Sequence, residues 1–215
     1  MLVRRIMNKE VVTVSPEMSL WEALNLVKSK GIRHLPVVEE GRLVGIVSDR
    51  DLRTASPPFL QVENWDIMTG TLLKQIMHRD VITVHPLESI DEAARLLYEH
   101  RIGCLPVLQQ GTVVGILTQS DILFALVELM GVTSPGTQIQ IEVPDRPGTL
   151  ADITDIIKAN GVNIVSLLTT PGERPAYRGV VIRIKTIDPR KIIQQIKTAG
   201  YRVLWPENGG SLHDL

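Results

Sequence analysis

Apolar positions follow two periods along this chain, and their alternation occurs twice. Between residues 19 and 31, Leu20, Ala23, Leu24 and Val27 share one helical face. Ser19 with Glu22 forms a capping box at its start and Gly31 closes it. The period then drops to that of strands. HLPVV (34–38) and RLVGIVS (42–48) flank the turn EEG (39–41) as a hairpin, and a further helix opens near Asp49. VVTV (11–14) reads as a short strand ahead of all this. Residues 74–125 repeat residues 4–55 at a constant offset of 70 without a gap, with 20 identities in 52 positions. Ser89 and Glu92 supply the second capping box. Each copy therefore reads as a short helix followed by β-α-β-β-α. A duplication at one fixed offset predicts two like units packed about a pseudo-twofold axis, with equivalent clefts between them.

The rest of the chain is patterned differently. Residues 56–73 link the copies: Pro57 and Pro58 stop the preceding helix, and irregular chain leads into the helix LLKQIM. A helix over 121–130 ends the second copy, and Gly131–Gly136 form a linker. TQIQIEV alternates as a strand, DRPG (145–148) turns, and Thr149 with Asp152 reads as another capping box. Leu150, Ile153, Ile156 and Ile157 give the next helix its apolar side, which Gly161 closes. Strands VNIVSLLT and YRGVVIRIKT follow, then a helix started by Asp188 and Pro189, then strand YRVLW. This is βαββαβ, a ferredoxin-like unit. The expected fold class is α/β (α+β). Expected domains are 1–58, 59–131 and 137–206, with a mobile polar tail at 207–215.

Composition narrows the function classes. The 23 basic and 24 acidic residues give a net charge of −1, so no basic field draws nucleic acid or anionic lipid. Eight aromatic residues (3 Trp, 3 Tyr, 2 Phe) leave a core of branched aliphatics, as α/β packing requires. Cys104, the single cysteine, fits a reducing, cytoplasmic setting. No signal peptide or membrane span is expected. His34, His78, His85 and His100 lack metal-ligand spacing, and Trp21, Trp65 and Trp205 read as packing residues.

Chemistry concentrates at the end of each copy's last strand. Ser48 with Asp51, and Thr118 with Asp121, have the spacing of helix caps, which alone accounts for them. The same atoms suit a nucleotide: a helix start attracts phosphate, and a carboxylate accepts the two hydroxyls of a ribose. Pro36 and Pro106, inside strands, are either edge prolines or an apolar wall for a flat base. Arg33, His34 and Arg50 in copy one correspond to Gly103, Cys104 and Ser120 in copy two. Charge-assisted contacts to phosphate outweigh neutral ones, so the phosphate end of a ligand is expected on the copy-one side.

The motifs VVTV-x-P, RHLPVV and GIVSDRDL, with VITV-x-P, GCLPVL and GILTQSDI, resemble the tandem CBS-domain family (Bateman module) over about residues 1–130. The resemblance implies an adenine nucleotide (AMP, ADP or ATP) or S-adenosylmethionine as a regulatory ligand between the copies. By position, Asp51 and Asp121 would hold ribose, and Ser48 and Thr118 would contact ribose or phosphate. Thr13–Val14 and His34–Leu35–Pro36 would flank the base, with Thr83–Val84 and Cys104–Leu105–Pro106.

VPDRPGTL (143–150) with GVNIVSL (161–167) resembles the ACT domain over about residues 137–206. That family pairs side by side and often binds an amino acid at the seam. Asp145, Arg146, Pro147, Gly148, Leu150 and Asn163 would lie there, although the same turn and helix start also serve a unit that only dimerises. A CBS pair followed by ACT resembles the acetoin-utilisation (AcuB) family of spore-forming bacteria, which accompanies a deacetylase-like partner. The leading expectation is a non-enzymatic, homodimeric regulator with no required cofactor. A constitutive dimeric scaffold is the second reading. An enzyme is third, because no nucleophile–base pair, metal cluster or phosphate-binding loop is present.

Overall fold

The structure, a computed structural model, describes residues 1–57 and 65–206. The helix-stopping role of Pro58 and the mobile tail fall outside the described residues. The chain divides into two compact units, Met1–Leu123 and Phe124–Leu215.

In the first unit, α1 (Val3–Ile6) precedes α2 (Leu20–Lys30), β1 (His34–Glu39), β2 (Arg42–Ser48) and α3 (Asp49–Ala55). Next come α4 (Trp65–Gly70), α5 (Leu73–Ile76), α6 (Ile90–Glu99), β3 (Cys104–Gln109), β4 (Thr112–Thr118) and α7 (Gln119–Leu129), the last crossing the boundary between units. β1–β2 and β3–β4 are two antiparallel hairpins with bulges at equivalent places, Val37/Val38 and Val107/Leu108.

The twofold relation is visible in the pairings. The bridges Leu2–Ser89 and Ser19–Leu72, and likewise Asn8–Ile116 and Ile46–His78, exchange partners at the offset of 70. The short helices are exchanged too. α1 places Val3 in the copy-two core with Leu105 and Leu117, while α5 places Leu73 in the copy-one core with Leu35 and Val47. All six are fully buried. Full burial of a side chain of this size contributes about 1.5–3 kcal/mol, which ties each copy to the other's core.

Gly45 and Gly115 make the exchange sterically possible. A Cβ on Gly45 would lie 2.6 Å from the sulfur of Met77, and a Cβ on Gly115 2.6 Å from the sulfur of Met7.

Several sequence expectations need correction. VVTV is no full strand: only Val14 pairs, with Val37, and in copy two only Val84, with Val107. The linker holds the helix α4, where Trp65 packs against Trp21 with ring centroids 4.7 Å apart and the ring planes inclined at 60°. Ser19–Glu22 is a complete capping box, but at Ser89 one arm is missing: the Ser89 N–H donates to Glu88 Oε1 and the Glu92 carboxylate goes to Arg95.

The second unit orders its strands β6-β7-β5-β8, from β5 (Thr137–Pro144), β6 (Ile164–Pro171), β7 (Tyr177–Ile184) and β8 (Arg202–Trp205). Ile139, Ile141, Val143, Val180 and Ile182 form a buried core with residues of α8 (Thr149–Ala159) and α9 (Arg190–Thr198). Thr149 does not cap α8. Gly148 is the N-cap at φ 91°, and the Thr149 hydroxyl donates to the Pro144 carbonyl instead. α9 begins one residue late, with Pro189 as its cap position, and Asp188 Oδ1 accepts the Arg190 N–H. Glu142, on β5, is buried beneath Arg174 and Arg202, and its Oε1 has no hydrogen-bond partner among the described residues.

Candidate functional site

β2 ends at Ser48, and the chain turns into α3 on a reciprocal cap. The Ser48 hydroxyl accepts the Asp51 N–H, while Asp51 Oδ2 accepts the Ser48 N–H at 2.8 Å and its O–H at 2.5 Å. Copy two repeats this: Asp121 Oδ2 accepts the Thr118 N–H and O–H, both at 2.7 Å. The cap and the candidate site thus divide each carboxylate between them. One oxygen is committed to the helix start; the other is not. Asp51 Oδ1 lies 3.3 Å from His78 Nε2, and Asp121 Oδ1 has no partner among the described residues. His78 arrives because its backbone pairs with Ile46. Its repeat counterpart Asn8 turns its own side chain to the Glu10 N–H at 2.9 Å.

Both helix starts open on one cleft of about 1150 Å³ within the first unit. Arg33, His34, Ser48, Arg50 and Asp51 line it from copy one, and Cys104, Thr118 and Asp121 from copy two. Thr13, Val14, Leu35, Pro36, Thr83, Val84, Leu105 and Pro106 are not in that lining. Val14, Leu35, Val84 and Leu105 belong to the buried cores. Pro36 and Pro106 are buried in their hairpins, and their carbonyls accept the N–H groups of Val14 and Val84. The apolar lining comes from Val11, Val12, Ile32 and Ile46 with Val81, Ile82, Ile102 and Ile116. Strand alternation explains the displacement: with His34 in the cleft, Leu35 points to the opposite face.

Sequence reasoning missed Asn8, Glu10, His78, Asp80 and Arg101 as lining residues. The repeat offset offered a signal, since Asn8 with His78 and Glu10 with Asp80 are offset pairs that both reach the cleft. A second depression, along α2 between Met18 and Ser29, lies apart from these charged groups.

The two halves of the cleft differ electrically. Burial first, and then the neighbouring Arg33, hold the His34 pKa below the ordinary histidine value, with Asp51 pulling the other way. Burial pushes Asp51 up, but the Ser48 hydroxyl, its N–H and His78 together bring it below the usual carboxylate value. The buried Cys104 thiol is pushed up to about 12. Arg33 and Arg50 enter no salt bridge among the described residues. Gly103 and Ser120 occupy their places in copy two.

In the second unit the turn Asp145–Gly148 is exposed, as are Leu150 and Asn163. Asp145 pairs with Arg178 at 2.9 Å, and Arg146 lies 3.7 Å from Asp152. Among the described residues no cluster of His, Cys, Asp or Glu is arranged to hold a metal ion, and no helix is long and apolar enough to cross a membrane.

Comparison with known proteins matches residues 3–57 and 73–128 to the CBS domain and residues 137–200 to the ACT domain. A CBS domain-containing protein of Dictyostelium discoideum is 35% identical over 140 residues, covering 62% of this chain and 97% of its own. An inosine-5′-monophosphate dehydrogenase of Korarchaeum cryptofilum is 34% identical over 170 residues, 74% of this chain but 33% of the enzyme. Among solved structures, a Vibrio cholerae protein assigned to acetoin utilization (AcuB) superposes with a TM-score of 0.53 at 34% identity, covering 62% of this chain and 95% of that one. The CBS pair of protein MJ0100, in complex with 5′-methylthioadenosine and S-adenosyl-L-methionine, gives 0.51 at 33% identity, covering 59% and 95%. CBSX2 in complex with AMP gives 0.51 at 30% identity, covering 59% and 96%. The duplicated hairpin units, their shared cleft and these matches place the chain in the CBS-domain family, as a tandem CBS pair followed by an ACT domain.

Proposed function

We propose that the cleft of the CBS pair binds an adenosine compound and that the chain is a regulatory module rather than an enzyme. The observation that carries this reading is the pair Asp51 and Asp121. Both line one cleft, and in each the helix cap engages only Oδ2, leaving Oδ1 of Asp121 without a partner among the described residues and Oδ1 of Asp51 shared only with His78, so both can accept a ribose hydroxyl. The related pairs crystallised with AMP and with S-adenosyl-L-methionine support the ligand class. Arg33, His34 and Arg50 direct the phosphate end to the copy-one side. The bound ligand favours one of two arrangements of the chain or of its assembly, which is how a site without catalytic groups transmits a signal. An amino acid at Asp145–Gly148, Leu150 and Asn163, in a homodimer, is the matching proposal for the ACT domain. The Vibrio cholerae neighbour supports a link to acetoin utilization; a deacetylase-like regulated partner and a cytoplasmic location complete the proposal.

A second reading, a ligand-free scaffold, draws on the exposed Phe124, Leu126 and Leu129 of α7. Thermal unfolding with AMP, ADP, ATP, S-adenosylmethionine and amino acids separates the two. A ligand at 100 times its dissociation constant stabilises the fold by about 2.7 kcal/mol, several degrees for a chain of this size. A shift with an adenosine compound supports the regulator. No shift with any compound supports the scaffold.

A further inference from the structure

Arg101 lines the cleft and adopts φ 52°, a left-handed conformation. Its counterpart in copy one is Gly31 at φ 64°. The same turn therefore follows α2 and α6, and copy one fills it with the residue that accepts it freely, whereas copy two holds a side chain that disfavours it. The position of Arg101 is fixed by its neighbours. The Gln119 side chain donates to the Ile102 carbonyl at 3.1 Å, and the Gln119 N–H donates to the Gly103 carbonyl at 3.2 Å. These bonds hold Arg101 beside the first turn of α7, which carries Asp121. The guanidinium enters no salt bridge among the described residues. Gly103 and Ser120, where copy one has Arg33 and Arg50, carry no charge of their own.

We propose that Arg101 is a specificity-determining residue: it gives the copy-two half of the cleft its own anion anchor, so that a phosphate-bearing ligand is held there as well as at Arg33 and Arg50. This rests on the reading of the cleft as an adenosine site. It departs from the sequence expectation that the phosphate end of the ligand lies on the copy-one side. A purely structural role exists for the same residue, since α6 has no basic residue in its last turn and Arg101 follows its negative end. The two roles predict opposite results.

The test is calorimetric titration of the full chain with AMP and with adenosine, beside thermal unfolding, for wild type, Arg101→Gly and Arg101→Lys. Glycine relieves the left-handed turn, so its melting temperature is equal to or above that of wild type. The proposal predicts that Arg101→Gly nonetheless weakens AMP binding at one of two half-sites about tenfold, as expected for losing one charge-assisted contact. Adenosine binding stays unchanged, and Arg101→Lys retains most of the AMP affinity. Unchanged AMP affinity in Arg101→Gly, with loss in Arg33→Ala/Arg50→Ala, overturns the role of Arg101 and leaves the adenosine site standing. A lower melting temperature in Arg101→Gly with AMP binding intact establishes the structural role and overturns the proposal. Failure of AMP and adenosine to bind wild type overturns both.

Discussion

His34 and Gly103 share one space. A Cβ on Gly103 would lie 2.8 Å from His34 Nε2, so the imidazole of copy one occupies the volume that a side chain on copy two would fill. Gly103 is the counterpart of Arg33, and the two copies therefore cannot carry the same residues at this point. Gly103→Ala is expected to displace the His34 ring. AMP affinity then falls by a few-fold while far-ultraviolet circular dichroism stays native. An unchanged affinity would show that the ring position is immaterial to binding.

The depressed pKa of His34 has a definite sign. Folding holds the ring neutral, so its share of stability is present above the unfolded value of 6.5 and is lost as pH falls through the folded value. Urea unfolding at several pH values is expected to show wild type losing more stability than His34→Gln on acidification. Bound phosphate favours the imidazolium, while the phosphate itself takes up a proton at about pH 6, so on acidification AMP affinity is expected to be better retained in wild type than in the variant.

Gly45 and Gly115 predict a packing penalty. Gly45→Ala brings its Cβ to 2.6 Å from Met77 Sδ and 3.0 Å from the His78 carbonyl oxygen. Overpacking of this kind costs about 1–3 kcal/mol. The midpoint of thermal unfolding should drop by several degrees for either glycine. A drop in one copy only would argue against the equivalence of the two exchanged segments.

Glu142 predicts an order of effects. Its side chain is 1% exposed, whereas Arg174 is 49% exposed. Arg174→Ala leaves a buried carboxylate with only Arg202 at 3.5 Å, while Glu142→Gln leaves arginines that water can solvate. Arg174→Ala should therefore lower the melting temperature more than Glu142→Gln. The reverse order would mean that the pair is not set by the burial of the carboxylate.

Cys104 is the single thiol, 6% exposed, with its pKa pushed up to about 12 by burial. Since the thiolate is the reactive form, a disulfide reagent should titrate it slowly in the folded chain and fully in denaturant. Rapid native reaction would place the thiol in solvent.

Much of this was legible in the sequence because the duplication writes the same signal twice. The capping boxes at Ser19 and Ser48 and both hairpins follow from local residue chemistry, and the structure has them where the pattern put them. The exchange of α1 and α5 was not legible. Val3 and Leu73 look alike as apolar residues, and only tertiary packing decides which core receives them. α4 was missed because Pro57 and Pro58 end the preceding pattern and the helix is only six residues long, although Asn64, a cap-type residue, stands directly before Trp65. Within the cleft, caps and charges were readable, since their chemistry is carried by residue type. His78 and Arg101 were not, because one arrives by a backbone bridge to the other copy and the other by a turn that its sequence disfavours.

The central claim is that Asp51 and Asp121 hold a sugar diol in the cleft between the copies. The direct measurement is calorimetric affinity for AMP and for 2′,3′-dideoxy-AMP, which differ only in that diol. Losing hydrogen bonds to a carboxylate should weaken the dideoxy compound about tenfold or more in wild type, and the difference should shrink in Asp51→Ala/Asp121→Ala. Equal affinities for the two nucleotides in wild type would contradict the account.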